Sequence, residues 1–256
     1  MVHFVGAGPG DAELITVKGA RLLREADVVV FAGSLVDRQL VLAYAQDAQV
    51  YDSSGMTLEE IIVVMAGAVA NGKRVVRLHT GDPAIFGAIQ EQMAALDDLG
   101  IAYDVVPGVT SALAAAAVLK QELTLPELAQ TVVITRVEGH TPVPVREKLA
   151  EIARLGSTLV IYLSVAMIER VVEDCLTGAY APETPAAVVA KASWPDQEVV
   201  EGTLEDIAKK VKNAGIDKQA IIIVGDVLRA RREGLAAVSR LYDKSFSHEF
   251  RKGIPT

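Results

Sequence analysis

Short β-branched runs return along this chain at intervals set by segments of helical period, and that alternation limits the fold more than any other feature. In the first half the runs are VHFVGA (from Val2), DVVVFAG (from Asp27), AQVYD (from Ala48), KRVVRLHTG (from Lys73) and AYDVVPG (from Ala102). The clearest helical segment between them puts Leu58, Ile61, Ile62, Met65 and Val69 on one face, at spacings of 3, 1, 3 and 4. Asp97 and Asp98 lead to Gly100, a helix stop ahead of the fifth run. The alanine-rich SALAAAAVL, Ser111 to Leu119, reads as a closely packed helix. Strand, helix and strand repeated in this way predict a parallel sheet with helices on both faces, because parallel neighbours need a long crossover.

After residue 119 the texture changes. KQELTLPELAQ, Lys120 to Gln130, is polar, contains a proline and has no period, which marks a linker. Beyond it come TVVITRV, STLVIYLSV, PAAVVAKAS, QEVVEGTL and AIIIVGDV, with fewer and shorter helices between them. Trp194, Pro195 and Asp196 join the third and fourth of these runs as an antiparallel hairpin. The expectation is two α/β domains, 1–119 and 131–256, joined by 120–130. The first has a parallel sheet and the second a mixed sheet, with a ligand cleft between them, since ligands favour such interfaces.

At 256 residues the chain is long enough for a substantial core without staples. Its one cysteine, Cys175, fits a reducing cytosol and excludes an internal disulfide; inside VVEDCLTG it reads as a buried helix residue. With four scattered histidines, no metal-ligand spacing is visible. No window reaches the roughly 18 to 20 apolar residues of a membrane span. MVHFVGAG has no basic segment before its apolar run and reads as a first strand, not a leader. A formal net charge of −8 argues against a nucleic-acid binder, which neutralises phosphates with surplus Lys and Arg.

The chemistry concentrates in loops that follow strands. VGAGPGD, from Val5, opens like a dinucleotide turn, but Asp11 stands where the third glycine belongs, and Pro9 has no N–H to donate. An aspartate there repels phosphate; it also reads as a plain cap at a helix start. LHTGDPAIFG, from Leu78, again follows a strand and places Asp82 where a phosphate binder needs a cation. Pro83 fits a first helical turn, so Asp82 also reads as an N-cap. VPGVTSA, from Val106, brings the hydroxyls of Thr110 and Ser111. The three loops lie at strand C-terminal ends, where open parallel sheets collect ligands. They contain Gly, Pro and small polar groups with no lysine or arginine, which suits a cationic or zwitterionic adenosyl compound such as S-adenosylmethionine.

At these residues the chain resembles the tetrapyrrole (uroporphyrin and precorrin) methyltransferases. VGAGPGDAELITVKGARLL, TGDPAIFG and VPGVTSALAAAA are similar to the family's first three motifs, and TRVEGHTP, LVIYLSV, PAAVVAKASWPDQEVVEGTL and QAIIIVGDV follow in the family's order. Within the family, AGSLV, YDSSGMTLEEI and the tail SRLYDKSFSHEFR are most similar to the members that methylate carbon 11 of precorrin-4 or cobalt-precorrin-4. The resemblance implies two α/β domains, a homodimer, and S-adenosylmethionine as the methyl donor in the cleft between the domains; the cytoplasmic location expected beside it rests on the single cysteine. By motif, it implies donor contacts from Pro9, Gly81, Asp82, Thr110, Ser111, Leu163, Ala192 and Ala220. Leu163 stands where members usually carry methionine, and both it and Ala220 read equally as core residues. Methylation of another tetrapyrrole carbon, as in sirohaem synthesis, is the nearest alternative. An RNA methyltransferase of the same fold is another, which the acidic charge opposes.

An activated sulfonium methyl needs no protein nucleophile, in keeping with the lack of a Ser or Cys/His constellation. Orientation of well-placed reactants supplies roughly 7 to 11 kcal/mol. Asp82, His79 and Asp104 are the ionisable groups near the loops, and none is assigned as a base. Arg136 and His140, in TRVEGH, are the candidates for the substrate's carboxylates, read against a solvated loop. Arg229, Arg231 and Arg232 form a denser cluster of the kind that is usually a solvated face. Tyr242 and Phe246 suit either a macrocycle cover or a subunit contact.

Overall fold

The computed structural model describes residues 1–33, 36, 38–235 and 238–254. Contacts divide the chain into two compact units, one of Met1–Ala114 with Lys191–Gln197 and the other of Ala115–Ala190 with Glu198–Thr256.

In the first unit the elements run β1 (Val2–Gly6), α1 (Val17–Glu25), β2 (Val28–Phe31), α2 (Arg38–Tyr44), β3 (Gln49–Asp52), α3 (Leu58–Ala70), β4 (Val75–His79), α4 (Gln90–Asp98) and β5 (Tyr103–Val106), followed by the start of α5 (Ser111–Leu119). The five strands form one sheet in the order β3-β2-β4-β1-β5, every pair parallel. Alternation along the strands divides their side chains between two cores. Val5, Val29, Val76 and Leu78 pack with Leu22 and Leu23 of α1 and Leu40 and Val41 of α2. Val2, Phe4, Val28, Val30 and Val75 pack with Ile61 and Met65 of α3 and Leu96 of α4. Helices thus cover both faces, as the alternating pattern predicted.

Local signals start and stop these helices. Thr57 and Glu60 form a reciprocal capping box at α3, worth about 1 kcal/mol. Of the face read from spacing, Ile61 and Met65 are buried, Ile62 and Val69 pack partly, and Leu58 is 37 % exposed. Gly100 takes φ +64 just beyond α4, the left-handed step that ends a helix.

The second unit continues with β6 (Val132–Arg136), α6 (Leu149–Ile152), β7 (Thr158–Tyr162), α7 (Ile168–Thr177), β8 (Pro185–Ala190), β9 (Glu198–Thr203), α8 (Ile207–Asn213), β10 (Ala220–Val224) and α9 (Ala230–Glu233). Its sheet has the order β6-β7-β10-β8-β9. β6 and β7 pair in parallel and the other neighbours are antiparallel, including the β8–β9 hairpin. One face carries the core of Leu149, Leu159, Ile161, Val171, Ile207 and Ile222. Cys175 is fully buried there, and burial pushes its thiol up to about 12, so it is a packing residue and not a nucleophile. Residues 120–130 contain no helix or strand, yet Leu123 and Leu125 are buried, and Thr158 Oγ1 donates to the Leu123 carbonyl at 2.9 Å.

Candidate functional site

Strand order locates the site. β1 leaves the sheet through α1 toward β2 on one face, while its neighbour β4 leaves through α4 toward β5 on the other. The chain therefore diverges between β1 and β4 at the carboxyl edge, the switch point where doubly wound sheets bind ligands.

The loops after β1, β4 and β5 meet there through their backbones. Gly8 and Gly81 exchange hydrogen bonds, the Gly81 amide donating to the Gly8 carbonyl at 2.8 Å and the Gly8 amide to the Gly81 carbonyl at 3.2 Å. A Cβ on Gly6 would lie 2.6 Å from the Gly108 Cα and from the Gly81 oxygen; one on Gly108 would lie 2.1 Å from that oxygen. The glycines are thus required by close approach. Asp82 is a bracket between loops, its Oδ1 accepting from the Ala84 amide at 2.8 Å and its Oδ2 from the Gly108 amide at 2.9 Å. Opposite Gly81 stand Thr110 and Ser111, with the Ser111 nitrogen 3.6 Å from where a Gly81 Cβ would be.

The expected helix start at Pro83 is corrected. Residues 83–86 form a turn, and α4 begins only at Gln90. Phe86 and Ala88 take φ +54 and +47, and Gly87 lies against the Pro83 carbonyl, which breaks any helix from Pro83 onward. Asp82 caps this turn, whereas Asp11 caps a short 3₁₀ turn at Ala12–Leu14, its carboxylate accepting from the Glu13 amide at 2.8 Å.

The tip joining β8 to β9 also belongs to this first unit. Trp194 Nε1 donates to the Pro9 carbonyl at 2.8 Å, and the Asp11 amide donates to Ser193 Oγ at 3.0 Å. Lys191 and Ser193, on either side of the buried Ala192, hold φ +48 and +69. Left-handed backbone costs about 1–2 kcal/mol per L-residue, and local bonds hold it here: a Lys191–Asp196 ion pair, and the Ser193 amide donating to Gln197 Oε1 at 2.8 Å.

Of the residues expected to hold a donor, the first unit contains Pro9, Gly81, Asp82, Thr110, Ser111 and Ala192. Leu163 and Ala220 lie in the second. Leu163 is 65 % exposed at φ +54, just past β7, and Ala220 is buried at the start of β10. Arg136, at the end of β6, donates to the carbonyls of Thr141 at 3.1 Å and Pro142 at 2.8 Å, so it ties down its own loop; His140 on that loop is exposed. Arg229 donates to Asp226 at 3.0 Å and to the Glu183 carbonyl at 2.7 Å. The Arg231 and Arg232 side chains lie outside the described residues, as do Ser34 and Leu35 of AGSLV. Tyr242 is 75 % exposed and Phe246 39 %.

Asp82, Asp104 and His79, the ionisable groups singled out near the loops, are each held by structural hydrogen bonds or by burial. Asp82 has both oxygens engaged. Asp104 sits opposite His3 in the strand register and binds both His3 and Lys18; burial pushes its carboxyl up, but those hydrogen bonds outweigh it and hold it low. His79 is buried beside Phe4, its Nε2 without a hydrogen-bond partner among the described residues. Burial, and then the charge of Arg77, lower its pKa to about 3. The unfolded chain therefore takes up this proton near pH 6.5 while the folded one resists it, so stability falls as the solution is acidified below that point. Between pH 7 and pH 5 this one group is expected to remove about 2 kcal/mol. His79→Leu should lose correspondingly less over the same interval, read from denaturant midpoints at the two pH values.

Sequence reasoning missed two features. Arg77 is buried within β4, and burial lowers its pKa to about 10. Among the described residues no carboxylate pairs with it. It donates instead to Gln92 Oε1 at 2.9 Å, Ser53 Oγ at 2.9 Å and the Val30 carbonyl at 3.3 Å. Gln92 in turn donates to the Ala88 carbonyl at 2.9 Å, which links this buried network to the strained turn. The second is the Trp194 contact, whose only sequence signal is a tryptophan in a turn. Among the described residues no helix is long and apolar enough to cross a membrane, and no group of His, Cys, Asp or Glu is placed to hold a metal.

Comparison with known proteins agrees with this fold. Residues 1–208 match the family model of the Tetrapyrrole (Corrin/Porphyrin) Methylases. The chain is 55 % identical to the cobalt-precorrin-4 C(11)-methyltransferase of Methanocaldococcus jannaschii over 98 % of its own length and 96 % of the relative's. It is 50 % identical to the precorrin-4 C(11)-methyltransferase of Mycobacterium tuberculosis, with 90 % and 92 % covered. Its fold is similar to the X-ray structure of cobalt precorrin-4 methyltransferase, a cobalamin biosynthetic enzyme, at TM-score 0.87 and 46 % identity over 89 % of this chain and 95 % of that one. It is also similar to uroporphyrin-III C-methyl transferase from Thermus thermophilus complexed with S-adenyl homocysteine, at TM-score 0.75 and 34 % identity over 90 % and 99 %.

Proposed function

The chain belongs to the tetrapyrrole (corrin/porphyrin) methylases, and from that premise we propose that the carboxyl edge of its parallel sheet holds S-adenosylmethionine for methylation of carbon 11 of precorrin-4 or cobalt-precorrin-4. It is a C-methyltransferase of corrin-ring assembly in cobalamin biosynthesis. One observation carries the placement of the donor: a cradle of backbone and small polar groups at the switch point, with no lysine or arginine in its three loops. Such a set fits an adenosyl sulfonium, which carries no phosphate to neutralise, and does not fit a dinucleotide.

When bound, the donor supplies a methyl group already activated by the sulfonium. The protein's task is then orientation, worth roughly 7 to 11 kcal/mol when reactants are held well. Pro9, Gly81, Asp82, Thr110, Ser111 and Ala192 are the proposed donor contacts. Asp82 also fixes the spacing of the second and third loops by accepting from both. For Leu163 and Ala220, in the second unit, a donor contact rests on the likeness of their motifs to the family's. Arg136 and His140 are the proposed partners of the substrate carboxylates, Arg136 also bracing the loop that presents His140. No side chain is assigned as proton acceptor. The reading includes a homodimer, as the family likeness implies, and a cytoplasmic location, which the single, buried cysteine suits.

Methyl-labelled S-adenosylmethionine, offered with precorrin-4 and with cobalt-precorrin-4 in separate reactions, tests this. Label is expected at carbon 11 by NMR, and the preferred macrocycle defines the route. Label at another ring carbon would overturn the regiochemistry and keep the family.

A further inference from the structure

We propose that the Ser193–Trp194 tip is a positioning element for the methyl-donor loop, Trp194 acting through Pro9 and Gly10 and not by touching the donor. The inference rests on the placement of the donor argued above.

The glycine loop after β1 is held from two directions. On one side Gly8 is paired to Gly81 through both backbone groups. On the other, two bonds reach Pro9 and Asp11 from residues more than 180 positions away, Trp194 Nε1 on the Pro9 carbonyl and Ser193 Oγ on the Asp11 amide, beside the local turn in which the Glu13 and Leu14 amides donate to Asp11. The indole ring occupies the space where a Cβ on Gly10 would fall, 2.1 Å from Cδ1, so loop and ring fit only as glycine against tryptophan. Pro9 cannot hold itself with an amide of its own.

The tip is strained where it grips. Lys191 and Ser193 are left-handed, and Lys191, Asp196 and Gln197 make the bonds that hold them so. The Trp194 amide bonds back to Lys191 at 2.9 Å and the Gln197 amide to Trp194 at 3.1 Å, closing the tip on itself. A turn needed only to reverse the chain between β8 and β9 requires neither the left-handed serine nor a buried-edge indole donor. Strain of this kind persists where the surroundings over-determine it and a geometry is being kept. The geometry kept here is that of Pro9, with Ala192 held between the two strained residues.

Two variants separate positioning from stability. Trp194→Phe keeps a flat ring against Gly10 and removes the N–H donor. Ser193→Gly relieves the backbone strain while deleting the acceptor for Asp11, so its gain and loss in stability oppose one another. Binding of S-adenosylhomocysteine is measured by calorimetry, with melting temperature as the structural control. Both variants are expected to bind about 3- to 10-fold more weakly, the effect of one hydrogen bond, with the donor KM raised in proportion and kcat at saturating donor changed less than about 2-fold. Ser193→Gly should melt close to the parent. Trp194 is the sole tryptophan, so the parent's emission should also shift on adding S-adenosylhomocysteine. Unchanged affinity in both variants, or affinity lost only in step with melting temperature, would overturn the positioning role and leave the donor site standing. If the parent itself does not bind S-adenosylhomocysteine, the donor site and this inference fall together.

Discussion

Gly108→Ala is expected to abolish measurable binding of the methyl donor, a loss of at least about 100-fold, and to destabilise the protein by about 3 kcal/mol or more. The new Cβ would lie 2.1 Å from the Gly81 oxygen and 2.9 Å from the Gly6 Cα. Both obstacles are backbone, so no side chain can swing aside; the loops after β1, β4 and β5 would have to separate. That separation breaks the Gly8–Gly81 pair and the Asp82–Gly108 bond together. Gly67→Ala is the control. Nothing lies within 4 Å of its Cβ position in the middle of α3, and this change is expected to raise stability by up to about 1 kcal/mol through helix propensity alone. Thermal unfolding and calorimetric titration of S-adenosylhomocysteine on both variants read the contrast.

The second large effect is expected at Asp82, and its signature is that asparagine does not rescue it. Both carboxylate oxygens accept from backbone amides, Ala84 on one and Gly108 on the other. Asp82→Ala leaves two amide donors without partners, at about 1–3 kcal/mol for each one kept from water. Asp82→Asn keeps one acceptor but turns an NH2 group toward the other amide, donor against donor. Both variants are therefore expected to lose about 2–4 kcal/mol of stability, and donor affinity should fall at least about 30-fold because the second and third loops are no longer bracketed. Recovery of binding in Asp82→Asn would mean that one acceptor suffices without the carboxylate's charge, and that the bracket is not what shapes the cradle.

Why these two positions matter was only partly legible in the sequence. The strands could be read because each is a short β-branched run bounded by turn residues, and parallel pairing followed from the helical segments between them; the Pro185–Thr203 hairpin was marked by its intervening Trp-Pro-Asp. The glycine loops were visible as loops, and the missing cations pointed away from phosphate. Close approach was not legible, since nothing local in TGD or VPG says that Gly108 faces Gly81. Two caps were read correctly as to residue but not as to extent. Asp11 caps a single 3₁₀ turn, and Asp82 a turn whose left-handed Phe86 and Ala88 delay α4 to Gln90. Nothing in KRVVRLHTG sets Arg77 apart, and only the packing shows it buried on neutral acceptors. The grip of Trp194 on Pro9 spans 185 positions. A contact of that separation leaves no periodicity or spacing behind.

The central claim is that the three-loop cradle at the carboxyl edge of the parallel sheet binds the adenosyl donor. The most direct test is a crystal structure of the protein with S-adenosylhomocysteine. Ligand density is predicted against Pro9, Gly81, Asp82, Thr110, Ser111 and Ala192, with Trp194 still on the Pro9 carbonyl. Density at any other place, with these loops empty, would contradict the account.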